Sequence, residues 1–225
     1  MATTLAFDVY GTLIDTHGVV DELRLIVGDD APTFSQLWRD KQLEYSFRRG
    51  LMKDYVDFSV CTRQALDYAD ALMQHPLTAA ESDNLMQVYT RLPAFDDVRL
   101  CLQKAEAMNF RLFAFSNGSA QAVEVLLAHA GIGDLFEGIV SVEGVKSFKP
   151  NPEVYEHFIT ATGSNVENCW LVSSNPFDVL GAMSEGWRAA WVQRNQQAQF
   201  DPWGVQPTLT IDTLAVLQKK ISEVS

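Results

Sequence analysis

The 225-residue chain is short of several things, and each shortage excludes a class of protein. Its three cysteines, Cys61, Cys101 and Cys169, are scattered, odd in number, and form no CxxC pair. That excludes a disulfide-stapled miniature, and the thiols read as small reduced core residues. The four histidines, His17, His75, His129 and His157, stand at no metal-ligand spacing. Basic residues number 17 against 29 acidic ones, a formal net charge of -12, and no Lys/Arg run exceeds two. A surface with no stripe to track phosphates argues against a nucleic-acid partner. No apolar run approaches the roughly 20 residues of a spanning helix, and Met1 to Asp8 has no basic signal region, so membrane insertion and export are not expected. Reduced thiols and no leader set the expected location in the cytoplasm. There is no GxSxG turn for a serine hydrolase and no GxxxxGK loop for a nucleotide kinase.

What is present is a core: 47% hydrophobic and 11% aromatic residues, enough for one domain or one domain with an insertion. Short apolar runs end in small polar residues. Thr4 to Val9 carries Asp8 at its end, Arg111 to Phe115 precedes Ser116-Asn117-Gly118, and Cys169 to Val172 precedes Ser173-Ser174-Asn175. Gly138 to Ser141 and Arg188 to Val192 follow the same grammar. Helical patterns lie between them, at Val98 to Met108, Ala120 to His129, Glu153 to Thr162 after Pro152, and Asp178 to Glu185 before Gly186. Strand, polar loop, helix, repeated, predicts an α/β fold: a doubly wound, Rossmann-like parallel sheet with helices on both faces. Ligands bind such sheets beyond the carboxyl ends of the strands. Asp8, Ser116, Asn117, Ser173 and Asn175 fall there.

From about Val19 to Leu92 this rhythm stops. The stretch lacks strand signals and repeats apolar residues at helical spacing: Leu37, Leu43, Phe47, then Val56, Val60, Leu66, then Leu85, Val88, Leu92. It is expected to be an inserted helical subdomain over residues 16–93, with the doubly wound core in residues 1–15 and 94–225. Pro93 and the acids Asp96 and Asp97 mark the return.

On its own, Asp8 reads as a helix cap. Followed by Gly11-Thr12 in a turn and joined by other polar strand ends and Lys149-Pro150, it reads as a covalent nucleophile with donors and a cation around one point. At this level the sequence resembles the haloacid dehalogenase superfamily, and within it the L-2-haloacid dehalogenases, over nearly the whole chain. Phe7-Asp8-Val9-Tyr10-Gly11-Thr12-Leu13-Ile14-Asp15 is similar to the superfamily's first motif, Ser116-Asn117-Gly118 to its second, and Lys149-Pro150 to its third. Ser173-Ser174-Asn175-Pro176-Phe177-Asp178 is similar to the fourth. Trp38-Arg39-Asp40-Lys41-Gln42-Leu43-Glu44-Tyr45 is similar to the stretch that carries the dehalogenases' halide-side arginine.

The resemblance implies that Asp8 displaces halide from C2 of a short (S)-2-haloacid and that water then hydrolyses the Asp8 ester, giving the inverted 2-hydroxy acid. Lys149 would keep Asp8 ionised, with Lys146 as its solvated comparison. Asp178 would orient or deprotonate the water, with Asn175 and Ser173 around it, and Thr12 would hydrogen-bond Asp8. Ser116 would hold the substrate carboxylate. Arg39 and Asn117 would donate to the departing halide beside an apolar wall of Tyr10 and Phe177. Tyr155 matches a family tyrosine near the lysine, and as a residue it reads equally as a core aromatic. Arg39, by composition, is an ordinary surface arginine; the flanking match gives it a role. Homodimers are common among the relatives, so a homodimer is expected.

The superfamily's phosphatases carry a second acid two residues after the nucleophile, and here that position is Tyr10. Their fourth motif carries metal-holding acids, and here Ser173, Ser174 and Asn175 precede the single acid Asp178. A hard cation prefers several oxygen ligands, so neither metal nor cofactor is expected. A halide leaves without a proton, so a missing general acid suits dehalogenation. A magnesium-dependent phosphatase is the nearest alternative, and a non-catalytic binding protein, free to lose Asp8 and Lys149, is the other.

Overall fold

A computed structural model describes residues 2–224; Met1 and Ser225, the outer ends of the expected core, lie outside the described residues. Six strands form one parallel sheet: β1 (Thr4–Asp8), β2 (Arg111–Ser116), β3 (Gly138–Ser141), β4 (Cys169–Ser173), β5 (Arg188–Val192) and β6 (Leu209–Ile211), in the order β3-β2-β1-β4-β5-β6. The expected doubly wound α/β sheet is what the chain forms. The alternation of side chains explains why both faces are covered. Leu5, Phe7, Leu112, Ala114, Trp170 and Val172 enter one apolar cluster, while Ala6, Phe113, Phe115, Cys169 and Leu171 enter the other. Each fully buried leucine or phenylalanine contributes roughly 1.5–3 kcal/mol, and β1 is buried along its whole length.

Helices α5 (Val98–Ala107), α6 (Ala120–His129) and α9 (Leu217–Val224) close the first face through Cys101, Leu102, Val123, Leu127, Leu217 and Ile221. Helices α7 (Pro152–Thr162) and α8 (Pro176–Ser184) close the second through Val154, Phe158, Val179 and Ala182. Pro152 and Pro176 sit in their first turns, where a missing N–H costs nothing.

Between β1 and α5 run four helices, α1 (His17–Val27), α2 (Ala31–Met52), α3 (Phe58–Met73) and α4 (Ala79–Val88). The chain leaves and returns side by side: the Asp15 amide donates to the Pro93 carbonyl at 2.8 Å and the Phe95 amide to the Leu13 carbonyl at 3.0 Å. The apolar stripe read from the sequence needs correction here. On α2 the buried positions are Ala31, Phe34, Trp38, Gln42 and Ser46, and on α3 Val60 is exposed while Leu66 is buried. Two members of the α2 stripe are polar, so hydropathy alone points one position to the side.

Candidate active site

Parallel strands put their carboxyl ends on one edge of the sheet, and β1 lies at its centre between β2 and β4. Asp8 closes β1, Ser116 closes β2 and Ser173 closes β4. The backbone then turns tightly: Gly11 has φ +80°, which a Cβ disfavours, and the Leu13 and Ile14 amides fold back on the Val9 carbonyl. That turn brings Thr12 beneath the Asp8 carboxylate.

The two oxygens of Asp8 differ sharply. Oδ2 accepts from Thr12 Oγ1 at 2.8 Å, from Asn175 Nδ2 at 2.8 Å and from Ser173 Oγ at 3.3 Å. Oδ1 meets a single donor, Lys149 Nζ, at 3.3 Å. Three hydrogen bonds draw charge toward Oδ2 and leave lone pairs of Oδ1 free, so Oδ1 is the oxygen able to attack.

Lys149 is 1% exposed and all three of its ammonium protons are engaged, by Asp8, by the Phe115 carbonyl at 2.9 Å and by Asp178 Oδ2 at 2.7 Å. Its Nζ also lies 4.0 Å from the Phe115 ring centroid. Lys146, by contrast, is exposed. Asp178 occupies the first turn of α8, fully buried, and its Oδ1 accepts from the Tyr155 hydroxyl at 2.8 Å. Burial, with the negative charge of Asp8, pushes the Asp178 carboxyl up to about 6 against the pull of Lys149. Burial, reinforced by Asp178, holds Tyr155 well above its ordinary value, so the phenol remains a donor. Tyr155 is therefore both things the sequence allowed, a buried core aromatic and a site hydroxyl. Its seat is shaped by Gly181: a methyl there would overlap the Tyr155 hydroxyl and stand 2.7 Å from Pro150 Cβ.

Asn175 and Ser173, expected around Asp178 and the water, are instead spent on Asp8 Oδ2; Ser173 Oγ also accepts the Asn175 amide at 3.1 Å. Ser116 is buried, and its Oγ accepts the Gly118 amide at 3.1 Å. Asn117 Oδ1 accepts the Lys149 amide at 2.9 Å, tying the second polar strand end to the lysine loop. Arg39 reaches in from α2, donating to Asn175 Oδ1 at 3.3 Å. No hydrogen bond joins it to Asn117 among the described residues. Tyr10 packs edge-on against Tyr89, which meets Trp38 at 5.1 Å, and Phe177 packs on Phe47 at 5.1 Å, so the apolar wall draws on the helical insertion as well.

Four residues, Ser174, Arg194, Asp97 and Tyr89, support the site without a role assigned to them from the sequence. Ser174 donates its amide to Thr12 Oγ1 at 2.8 Å and its hydroxyl to the Gly11 carbonyl at 2.8 Å. Arg194 donates to the Thr12 carbonyl at 2.7 Å while Asp97 grips it through both carboxylate oxygens. Burial pushes the Asp97 carboxyl up, but the bonds from Arg194, Thr213 and Leu214 outweigh it and hold the group below its ordinary value. Tyr89, in the turn that follows α4, carries no motif signal.

Comparison with known proteins settles the family. The model of the haloacid dehalogenase-like hydrolases matches residues 2–184. The chain belongs to that family. Haloacetate dehalogenase H-2 of Moraxella sp. (strain B) is 36% identical over 210 residues, 93% of each chain. The (S)-2-haloacid dehalogenase of Pseudomonas sp. (strain YL) is 35% identical over 93% of this chain and 90% of its own. The L-2-haloacid dehalogenase of Xanthobacter autotrophicus, solved with chloropropionic acid covalently bound, superposes with a TM-score of 0.90 at 29% identity, each chain covered in full. The haloacid dehalogenase-like hydrolase described here thus shares both sequence and architecture with enzymes named for dehalogenation.

Proposed function

We propose that this haloacid dehalogenase-like hydrolase converts short-chain (S)-2-haloacids to (R)-2-hydroxy acids and halide. Asp8 Oδ1 attacks C2 from the side opposite the halogen; the C–O bond forms as the carbon–halogen bond breaks and halide leaves with its electron pair. Water then adds to the Asp8 carbonyl carbon. Oδ2 takes the developing negative charge beneath Thr12, Asn175 and Ser173, an arrangement that stabilises a tetrahedral intermediate. Collapse expels the 2-hydroxy acid, and the water's proton passes to Asp178. Each Asp178 oxygen keeps a lone pair beyond its bond to Lys149 or Tyr155. Lys149 holds the two carboxylates together, Ser116 receives the substrate carboxylate, and Arg39 with Asn117 faces the halide between Tyr10 and Phe177.

One observation favours this over a magnesium-dependent phosphatase. Asn175 Nδ2 donates to Asp8 Oδ2 at 2.8 Å and toward the Tyr10 carbonyl at 3.4 Å. It thereby presents N–H groups where a hard cation would need a lone pair. The test is halide release from L- and D-2-chloropropionate, each with and without EDTA. Release from the L form alone, indifferent to EDTA, is expected. EDTA-sensitive hydrolysis of p-nitrophenyl phosphate without halide release would overturn the reading.

A pH dependence follows from Asp178. The ionised form accepts the proton; burial and the Asp8 charge place its titration at about 6 in the free enzyme, and esterification of Asp8 removes that charge, so in the ester the group titrates lower. Below that lower pH the group is increasingly protonated, so ester hydrolysis should fall about tenfold per pH unit and level off above it. A pre-steady-state burst of halide that grows as the pH is lowered into that range would show it, and a burst independent of pH would refute it.

We further place the functional division at residues 16–93, a helical cap, and residues 1–15 with 94–225, the core. The paired crossing at Asp15 and Pro93 supports it. Exposed Leu51, Met52 and Leu72 on α2 and α3 suit a homodimer, testable by light scattering. The three free, buried cysteines suit a reducing cytoplasm, and no helix among the described residues is long and apolar enough to cross a membrane.

A further inference from the structure

Arg39 is held differently from most arginines of this chain. Arg24, Arg48, Arg49, Arg63, Arg111 and Arg194 all pair with a carboxylate. Arg39 forms no ion pair among the described residues; its Nη1 donates to Gln42 Oε1 at 2.8 Å and its Nη2 to Asn175 Oδ1 at 3.3 Å. Both partners are neutral amides. A neutral acceptor fixes a guanidinium without cancelling its field, whereas a carboxylate would cancel most of it.

The direction of the Gln42 amide is imposed from α3. Thr62 Oγ1 donates its only proton to the Phe58 carbonyl at 2.9 Å, so toward Gln42 it acts as acceptor, taking Nε2–H at 2.6 Å. With Nε2 committed there, Gln42 turns its oxygen to Arg39. Both residues are nearly sealed, Gln42 2% and Thr62 4% exposed. The Trp38 indole donates to the Thr62 carbonyl at 2.8 Å and locks the two helices at this level. The run of bonds continues through Asn175 to Asp8 Oδ2.

We propose that Gln42 and Thr62 are positioning residues that hold Arg39 aimed at the leaving halide with its charge uncompensated, and so set how well the enzyme handles a poor leaving group. The proposal rests on the dehalogenase reading. Chloride leaves less readily than bromide and carries more concentrated charge, so it depends more on an uncancelled cation.

The experiment measures kcat/KM for L-2-chloropropionate and L-2-bromopropionate in the unaltered protein and in Gln42→Glu, Thr62→Val and Thr62→Ser, with folding checked by circular dichroism. Gln42→Glu keeps an acceptor for Arg39 but adds a negative charge. It should cost about 100-fold on the chloro substrate and clearly less on the bromo one, widening the bromide-to-chloride ratio at least about threefold. Thr62→Val should widen the ratio in the same direction, and Thr62→Ser, which restores the hydroxyl, should return it to the unaltered value. A packing role would scale both substrates alike and would not separate Val from Ser. An unchanged ratio in Gln42→Glu, or identical ratios in the two Thr62 variants, overturns the proposal; should Gln42→Glu fail to fold, the Thr62 pair decides alone. Absence of halide release from the unaltered protein defeats the dehalogenase reading itself and is seen before any substitution is made.

Discussion

Asp8→Asn is expected to release no measurable halide from L-2-chloropropionate, a loss of at least about four orders of magnitude in kcat. The substitution keeps the shape of the side chain and removes the attacking oxyanion. Its remaining oxygen would turn to the donors of Thr12, Ser173 and Asn175, which leaves the new amide N–H facing the Lys149 ammonium in place of Oδ1. The fold should survive with little change, since Asp8 is the end of a strand paired on both sides. A companion measurement fixes the order of bonds. In a single turnover with enzyme in excess in 18O-labelled water, the label should enter the Asp8 carboxyl, because water adds to its carbonyl carbon. Label found directly in the hydroxyl of the product would mean that water, and not Asp8, displaces the halide.

Lys149→Met is expected to damage stability as well as activity. The lysine is the cation between two buried carboxylates, 3.3 Å from one and 2.7 Å from the other. Breaking a buried pair by removing one partner costs roughly 3–5 kcal/mol, because the charge left behind is neither solvated nor matched. In a chain of this size that lowers Tm on the order of 10 °C. Part of the loss should return in the double variant Lys149→Met with Asp178→Asn, which no longer buries the orphaned charge. Thermal unfolding of Lys149→Met, Asp178→Asn and the double variant checks this. Additive losses would mean that Lys149 and Asp178 do not share one electrostatic site.

The contrast between what the sequence discloses and what it hides follows from chemistry. Central strands such as Cys169–Ser173 and Arg188–Val192 are short apolar runs with polar ends, a pattern that survives any context. Strand β6 spans three residues at the sheet edge and helix α9 eight near the end of the chain, too short for their periodicity to stand out. Within the insertion, the inner stripe of α2 contains Gln42 and Ser46, so its buried face is not its apolar face. At the site, the motif positions Asp8, Thr12, Lys149, Ser173, Asn175 and Asp178 converge as a set. What the motifs conceal is direction: that Asn175 and Ser173 serve one oxygen of Asp8, and that Arg39 leans on Gln42. Arg194 and Asp97 stay hidden because a brace acting through a backbone carbonyl needs no motif, only a fold that brings positions 12, 97 and 194 together.

The central place of β1 separates two kinds of motion. Its five residues are buried, with neighbours hydrogen-bonded on either side, so its amides are expected to exchange with solvent deuterium only when the core opens. Helix α2, which carries Arg39, and the turn after α4, which carries Tyr89, connect to the core through the paired segments around Asp15 and Pro93, and local opening there is expected at lower free energy than opening of the sheet. Deuterium exchange is therefore expected to leave the strand that fixes Asp8 protected while the insertion beside it exchanges first.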